Sequence, residues 1–568
     1  MRDLQASLND HPMALLRGIA ELHGVALPTN LRADAAAQLS ARLVEPGALA
    51  AALATCSAEA RAAWDALAAA GGRMKSAAFT RAAGQIRPLG PGRLERELPW
   101  RQPAGPAEEL WYRGLIFRTF ADLGDGPLEY IYVPDELLPP QPSRPAVAEV
   151  LPFAPPAHPP ACSEQAFNAL AVDTCQVLAS LRLMPARLDR AGQLNPTDVD
   201  GLREGLCIPN SVRLALLVAL ARRPGWLVSD RGRLTLNTPA LTPWLRGTHW
   251  EQMKALFQGW RESGEESPDV PGWNDLRHVP SLKAEGDWRN DPTIARHAIL
   301  EVLSRLPGDA WYGISDFVAW MKAVQPDFQR LDSSYDGWYL RDAETGSFLS
   351  GFESWDQVEG RLIRFLITGP LFWLGGLALG GPEVGQYDAF RLTPMGLAWL
   401  AGRMPAELPR PARLTLQEDF TISAPLWLPL LDRFRLLRFS EPIADERPPG
   451  GMTRHRISRR SLARAREDGV KAEAVLTFLR HATGGHVPAR VVAGLQRWDQ
   501  HSGTVRVSRG AVLRVDEASI LATLRADPVL APLLGDLLSA QAVLVSEGNL
   551  PKVLAALHEL GYKTKPEA

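Results

Sequence analysis

The sequence has few of the residues from which metal centres and disulfide frameworks are built. Its 568 residues include only four cysteines, and these are far apart: Cys56, Cys162, Cys175 and Cys207. There is no Cys-x-x-Cys pair and no histidine doublet beside any of them, which argues against a zinc site and a disulfide framework. We therefore expect a reducing, cytoplasmic compartment in which the thiols are small core residues.

Long hydrophobic runs are also absent. The most apolar stretch, from Ile363 to Leu379, carries Arg364 and several glycines, so it falls short of the roughly 18 residues that a membrane span needs. The first residues contain no apolar run behind a basic start, which is the pattern of an export signal. We expect a chain that neither crosses a membrane nor is exported.

The common catalytic motifs are missing as well. No glycine is followed by lysine anywhere, so the Gly-x-x-x-x-Gly-Lys phosphate loop of ATP-driven motors is absent. The glycine-rich stretch 375–381 is interpreted as a turn within a hairpin, and His481 and His486 are too far apart for one helix face to hold a metal. The sequence predicts a protein that is not an enzyme and needs no cofactor, with a dispersed active site, such as a nuclease's, as an open alternative.

Apolar residues are plentiful, at 46% of the chain, and the length predicts about three to five domains. Nine prolines between 139 and 161 predict an extended linker, and a polar stretch predicts a second one. The expected organisation is a helical hairpin plus a winged-helix module at 1–139, a linker at 140–161, a winged helix at 162–260, a linker at 261–290, a winged helix with an insertion at 291–404, and a final domain at 412–568.

A repeated order of elements supports these modules. Helical stripes followed by alternating residues around a glycine turn predict helices and then a β-hairpin. The expected elements include strands flanking 124–126, helices at 164–181, 211–223 and 293–306, a helix beginning after Asn195, and hairpins at 230–232 and 371–393. The predicted fold class is a multidomain protein, mainly α with small β-hairpins, followed by a C-terminal α/β domain.

Two features of the central region predict burial rather than contact with nucleic acid. The helix at 211–223 occupies the position of a groove-reading helix, yet it is apolar nearly all round. Twelve of the seventeen tryptophans lie between 226 and 399, mostly among aliphatic residues and without interleaved basic ones. Core packing is therefore favoured over a base-stacking platform.

Charge is divided unevenly between the two parts of the chain. Residues 410–568 hold 23 basic and 17 acidic side chains, a net charge of +6, whereas the preceding residues carry −8. Such a split indicates a surface for nucleic acid or another polyanion. A solvated surface of mixed charge is the alternative.

The basic residues are densest in one segment. Ten arginines lie between 433 and 466, against Glu441, Asp445 and Glu446. A helix beginning near Ser461 would place every fourth residue on one side, and planar guanidinium groups bind two phosphate oxygens together. The candidate nucleic-acid-binding residues are Arg454, Arg456, Arg459, Arg460, Arg464 and Arg466. The alternative is a solvated helix face that pairs with the upstream acidic residues.

Several segments carry a family resemblance: LTLQEDFTI at 414–422, RHRISRRSLARAREDG at 454–469, VLTFLR at 475–480, VPARVV at 487–492, TVRVSRGAVLRV at 504–515 and LAALHELGY at 554–562. Together they resemble the N-terminal, helicase-associated domain of XPB-type repair and transcription helicases. The upstream modules look like those of bacterial helicase-associated proteins with tandem wings. The resemblance implies a compact domain that contacts DNA and a motor. Because no motor sequence follows within the 568 residues, we expect the motor on another polypeptide.

These observations predict a non-catalytic, cytoplasmic DNA-binding or helicase-accessory protein. Its expected partners are the DNA phosphate backbone and a separate helicase, translocase or nuclease subunit, with no membrane and no small-molecule substrate. The alternative is a protein-interaction scaffold, a subunit of a repair, transcription or phage-defence complex that makes no DNA contact of its own.

Overall fold

The computed structural model describes residues 3–122, 127–138, 159–189, 192–264, 272–286, 288–443, 452–500 and 509–565. The chain forms two compact units, Met1–Val491 and Val492–Ala568, built from many helices and small antiparallel sheets. Within the described ranges, no helix combines the length and the apolar character that a bilayer crossing requires. Most of the predicted linker at 140–161 lies outside the described residues.

The first part of the chain is a helical assembly with one three-stranded sheet, ordered β1-β3-β2. The strand predicted before 124–126 does not extend back to Trp111 and Tyr112, which end a helix, because the chain turns only at Gly114, whose φ is +64°. The elements are α1 (Leu4–Asn9), α2 (Met13–Leu22), α3 (Arg32–Leu43), α4 (Ala48–Ala54), α5 (Ala58–Ala69), β1 (Arg73–Lys75), α6 (Ser76–Ala83), α7 (Pro91–Glu97), α8 (Pro106–Tyr112), β2 (Phe117–Asp122) and β3 (Pro127–Tyr132).

The next part repeats helices and a hairpin, with the sheet order β5-β7-β6. Asn195 begins a helix as predicted, because its side chain accepts the backbone N–H of Thr197 and Pro196 fits the first turn. The elements are β4 (Cys162–Gln165), α9 (Ala169–Leu183), β5 (Ala186–Arg187), α10 (Pro196–Glu204), α11 (Ser211–Arg222), β6 (Leu227–Asp230), β7 (Arg233–Leu236), α12 (Thr238–Arg246) and α13 (His249–Arg261).

One predicted helix begins later than expected. The helix predicted from Glu164 starts at Ala169, because Cys162–Gln165 form strand β4. This strand pairs antiparallel with a strand more than 200 residues further along, in which Ala378 lies opposite Gln165. A partner so distant in sequence leaves no trace in local periodicity.

The third part contains a four-stranded sheet ordered β4-β11-β12-β9 and a separate pair, β10-β8. Wide π-type turns at 356–360 and 367–371 flank α16. The elements are β8 (Leu282–Ala284), α14 (Pro292–Ser304), β9 (Tyr312–Gly313), α15 (Ile314–Val324), β10 (Leu340–Asp342), α16 (Arg361–Leu366), β11 (Leu377–Gly381), β12 (Ala389–Leu392) and α17 (Pro394–Leu400).

The glycine-rich stretch 375–381 is only partly a turn. Gly375, with a φ of +75°, turns the chain into β11, but Gly381 lies in the strand itself. A Cβ atom on Gly381 would stand 1.8 Å from the carbonyl oxygen of Gln386. Glycine is therefore required there for a close backbone approach.

The three parts share one strand arrangement. In each, a short strand with one helix before it and further helices after it pairs with the last strand of the hairpin: β1 with β3, β5 with β7, and β9 with β12. The order helix, strand, helix, helix, strand, strand therefore occurs three times, with α7 added in the first case and an insertion in the third.

Burial follows the sequence prediction in the central region. Helix α11 buries seven of its twelve residues, among them Leu216, Leu217 and Arg213. Trp320, Trp373 and Trp399 are at most 8% exposed, whereas Trp311 is half-buried. These side chains fill the core and are not presented as a surface.

A four-stranded sheet, β13-β14-β16-β15, and the helices α18 to α20 continue the first unit, and a further helix, α21, begins in the first unit and ends in the second. The elements are β13 (Thr415–Leu416), β14 (Thr421–Pro425), α18 (Leu430–Leu436), β15 (Glu441–Pro442), β16 (Met452–Arg456), α19 (Arg459–Glu467), α20 (Ala472–Ala482) and α21 (Ala489–Gln500). Within the second unit, a sheet ordered β17-β19-β18 packs with two helices. Its elements are β17 (Gly510–Arg514), α22 (Ala518–Ala526), β18 (Leu537–Ser539), β19 (Ala542–Ser546) and α23 (Leu550–Glu559).

The segment that begins near 414 is anchored on the second module. Leu430 and Phe434 of α18 belong to the same continuous core as α9. Asn168 Nδ2 donates to the carbonyl of Leu426 at 2.7 Å, and the ring of His249 bonds the carbonyl of Trp427 at 3.0 Å. This packing fixes one face of the segment and leaves β16 and α19 with solvent-exposed arginines.

Candidate nucleic-acid interface

Strand β16 presents arginines on one face of its sheet. Its residues alternate, so that Arg454 and Arg456 are exposed while His455 is buried. Arg454 lies opposite Ser423 of β14, and Arg456 lies opposite Thr421. Neutral neighbours on β14 leave the positive charge of these two side chains uncompensated across that pair of strands.

Helix α19 continues this positive surface. It begins at Arg459, two residues before the predicted start, because Ser458 caps it: its Oγ accepts the N–H of Ser461, and Ser461 Oγ accepts the N–H of Ser458. Leu462 is buried, which turns the helix so that Arg459 and Arg460 in its first turn face solvent.

The carboxylate of Glu441 lies among three of the candidate arginines. Glu441 on β15 is the cross-strand partner of Arg456, and its Oε1 lies 3.9 Å from both Arg460 Nε and Arg464 Nη1. The Arg460 side chain is 89% exposed, so this long contact contributes little to stability. We call the exposed side chains of Arg454, Arg456, Arg459 and Arg460 the arginine surface.

Two of the six candidates differ from the other four. Arg464 is half-buried, and its Nη2 donates to the carbonyl of Ser440 at 3.3 Å, so it helps to hold α19 against the preceding loop. Arg466 is exposed in the last turn of α19, where a cation is favourable to the helix dipole. Neither belongs to the arginine surface as defined.

The acidic residues near the arginine surface are only partly described. Asp445 and Glu446, the other predicted partners, lie outside the described residues. The pKa of Asp419 is held below its usual value, chiefly because its carboxylate accepts the N–H of Thr421 and to a lesser extent because Arg456 is near. Asp419 and Glu441 are therefore the described carboxylates that border the arginine surface.

Arg433, the first arginine of the dense segment, is a core residue. It is 1% exposed and donates to Thr453 Oγ1 at 2.6 Å and to the carbonyl of Pro425 at 2.5 Å. Its neighbour His455 has its pKa lowered to about 3, first by burial and then by repulsion from Arg433. The arginine count of this segment therefore overstates its surface charge, because composition does not separate buried from exposed side chains.

A groove that was not predicted from the sequence lies at the C-terminal end of α19. It has a volume of about 810 Å³ and is formed by the end of α18 with the residues that follow it, the turn at 469–471 and residues 473–481 of α20. Arg435, Arg438, Lys471, His481, Phe439 and Phe478 contribute to its lining. The available signal was Phe-Leu-Arg-His at 478–481, an aromatic residue next to basic ones.

Metal ligation has no support in the described part of the chain. No group of three histidine, cysteine, aspartate or glutamate side chains comes together there. His486 Nδ1 instead lies 3.3 Å from the carbonyl of Thr483. Burial raises the pKa of the Cys175 thiol to about 12, which keeps it protonated and unreactive.

This region matches the model of a known protein family. The model of the family described as the helicase conserved C-terminal domain matches residues 414–539. The match contains β16, α19 and the groove, and it covers about a fifth of the 568 residues. A search of curated proteins found no match to the chain. The segment is helicase-related, which agrees with the broader part of the resemblance seen in the sequence, a relation to helicases.

Proposed function

We propose that this protein is a non-catalytic, DNA-binding accessory of a helicase or related motor carried on another polypeptide. The observation that carries the proposal is the arginine surface, four exposed guanidinium groups on one strand end and one helix start within a helicase-related segment. Planar guanidinium groups in such an array suit the phosphate oxygens of a nucleic-acid backbone. The XPB-type relationship belongs to the same proposal.

The three repeated modules support the proposal in a second way. We infer that each is a winged helix, since the order of elements and the pairing of the early strand with the last strand of the hairpin recur in all three. The helix in the groove-reading position of the second module, α11, is buried. That module therefore serves packing, and the arginine surface is the proposed site of DNA contact.

The absence of catalysis belongs to the proposal and has its own test. Because the sequence lacks a phosphate loop, purified protein should hydrolyse no ATP, with or without DNA. Turnover that follows the protein through successive columns would contradict the non-catalytic reading.

The direct test is a salt titration of binding to a 20-base-pair duplex of mixed sequence. Each phosphate contact contributes about −0.9 to the slope of log K against log salt. Arg459→Glu combined with Arg460→Glu should therefore weaken binding and flatten the slope by about two units. Arg464 is left intact, because its bond to the carbonyl of Ser440 gives it a structural role.

The matched control makes the same charge change outside the helicase-related segment. Arg403→Glu combined with Arg410→Glu replaces two exposed arginines. This control should keep the parent slope, since generic loss of positive charge would affect both pairs alike. If the Arg459 and Arg460 variant keeps the parent's affinity and slope, the arginine surface is not the site.

The second candidate function is a protein-interaction scaffold without DNA contact. The burial of α11 favours it, since that module offers no groove-reading helix. In this case the parent protein itself would show no salt-dependent duplex binding. The same titration therefore decides between the two candidates.

A further inference from the structure

We propose that the groove between α18 and α20 binds a short stretch of single-stranded nucleic acid. The proposal rests on the nucleic-acid role above but on different residues. The groove lies in the helicase-related segment, and its volume of about 810 Å³ exceeds that of one nucleotide. The proposed ligand of the groove is a single strand, whereas the proposed ligand of the arginine surface is a duplex.

Positive charge predominates along the groove. Lys471 and Arg435 are exposed, and the Arg435 side chain has a loose contact of 3.6 Å with Asp432, on the same helix. Arg438 is held in place because its Nη2 donates to the carbonyl of Asp468 at 3.2 Å. Glu473 is the acidic side chain among the lining residues. Three permanent cations against one carboxylate favour an anionic ligand such as a phosphodiester chain.

An aromatic ring is available beside these cations. Phe478 is half-buried in the groove wall, and Phe439, at 2% exposure, packs behind it. The two ring centroids are 5.6 Å apart at 71°, an edge-to-face contact that fixes the orientation of Phe478. A fixed, partly exposed ring beside cations provides a surface on which a base can stack.

The contrast with the arginine surface decides which strand form the groove takes. The arginine surface is defined by four guanidinium groups, and such charge is by itself sufficient for duplex phosphates. A positive groove with a stacking ring is the combination used by proteins that bind single strands, because only unpaired bases expose a face. An acidic peptide could form ion pairs with the cations, but it would not stack on the Phe478 ring as an unpaired base does.

The test compares two fluorescent probes, a 15-residue oligothymidylate and the 20-base-pair duplex, on the full-length protein. Phe478→Leu keeps an apolar side chain and removes the ring, so it should weaken oligothymidylate binding about five- to tenfold. Lys471→Glu should weaken it by a similar factor and flatten its salt slope by about 0.7. Both variants should bind the duplex within twofold of the parent.

Matched controls are Lys254→Glu, an exposed lysine on α13, and Phe120→Leu, a ring that is 75% exposed on β2. Both should bind oligothymidylate as the parent does. Unchanged oligothymidylate binding by both groove variants, or equal losses on the two probes, would overturn the proposal. The proposal would also be overturned if an acidic, phenylalanine-containing peptide bound in the groove and oligothymidylate did not bind. If only the proposed role of the arginine surface is wrong, the duplex-binding result changes. The effects of the groove variants on oligothymidylate binding still test the groove.

Discussion

Arginine performs opposite tasks in two regions of this molecule. In the core, three arginines are at most 2% exposed, and each donates to a carboxylate at 2.6 Å: Arg213 to Asp173, Arg296 to Asp275, and Arg330 to Glu359. On the arginine surface, the Arg460 side chain is 89% exposed, and the carboxylate of Glu441 lies 3.9 Å from it. The same residue type is structural where it is paired and desolvated, and available for a ligand where it is neither.

The energetics of the two regions differ accordingly. Removing one partner of a buried ion pair leaves an unpaired charge and costs several kcal/mol. An exposed pair contributes about 0 to 1 kcal/mol. Arg433 is intermediate in kind, because it is buried yet bonded to carbonyl and hydroxyl oxygens.

The largest expected effect comes from breaking the Asp275 cluster. Asp275 accepts from Arg296 and also from the indole N–H groups of Trp260 and Trp273. Asp275→Ala should lower the free energy of unfolding by about 3 to 5 kcal/mol, measured by urea denaturation. Asp65→Ala, at an exposed position on α5, should change it by no more than about 0.5 kcal/mol. If Asp275→Ala lowered the free energy of unfolding by less than about 1 kcal/mol, the proposed difference between buried, paired arginines and exposed ones would be wrong.

Arg433 provides the next test. Arg433→Met fills a similar volume but leaves the carbonyl of Pro425 and the hydroxyl of Thr453 with one hydrogen bond fewer. We expect the free energy of unfolding to fall by about 1 to 3 kcal/mol. A more stable variant would instead mean that desolvation of the Arg433 charge outweighs its hydrogen bonds.

The histidine beside Arg433 predicts a pH dependence. His455 has its pKa lowered to about 3 in the folded protein, so the unfolded chain binds a proton that the folded one does not once the pH falls below about 6.5. Stability present at neutral pH is therefore lost on acidification. His455→Gln should reduce the fall in unfolding free energy between pH 7 and pH 5 by about 2 kcal/mol. An equal fall in the parent and in His455→Gln would show that this side chain does not carry the pH dependence.

The smallest expected effect is on the arginine surface itself. Arg459→Glu with Arg460→Glu should change the free energy of unfolding by no more than about 0.5 kcal/mol, because these side chains support no packing. The same urea denaturation measures it, beside the binding experiment. A loss above about 1 kcal/mol would assign these arginines to the fold and not to a ligand.

Local features of this protein could be predicted from the sequence, and distant ones could not. The cap at Asn195, the helix that starts at Ser211 and the hairpin at 230–232 depend on neighbours within a few residues, which the sequence displays directly. The four-residue spacing likewise predicted that Arg460 and Arg464 lie on the same side of α19. The resemblance to helicase-associated sequences led to the segment that the family comparison matches.

The features that escaped prediction all depend on tertiary contacts. The stretch 261–290 looked polar in composition, yet Trp273 and Asp275 within it are buried beside Arg296. Arg433 looked like part of a surface because nothing local marks its burial. The groove combines Arg435 with Phe478, which only the packing of α18 against α20 brings together. Module boundaries and the DNA-binding role of the arginines stay predictions.

Strand β4 has a consequence for the order in which this protein is made. Its partner β11 follows about 213 residues later, as the pairing of Gln165 with Ala378 records. At roughly 5 to 20 residues per second, a ribosome needs about 10 to 40 seconds to deliver that partner. During this interval the backbone groups of β4 have no β11 to bond, so the second module emerges with an open strand edge. The third module completes that edge, and synthesis rather than diffusion sets when it can do so.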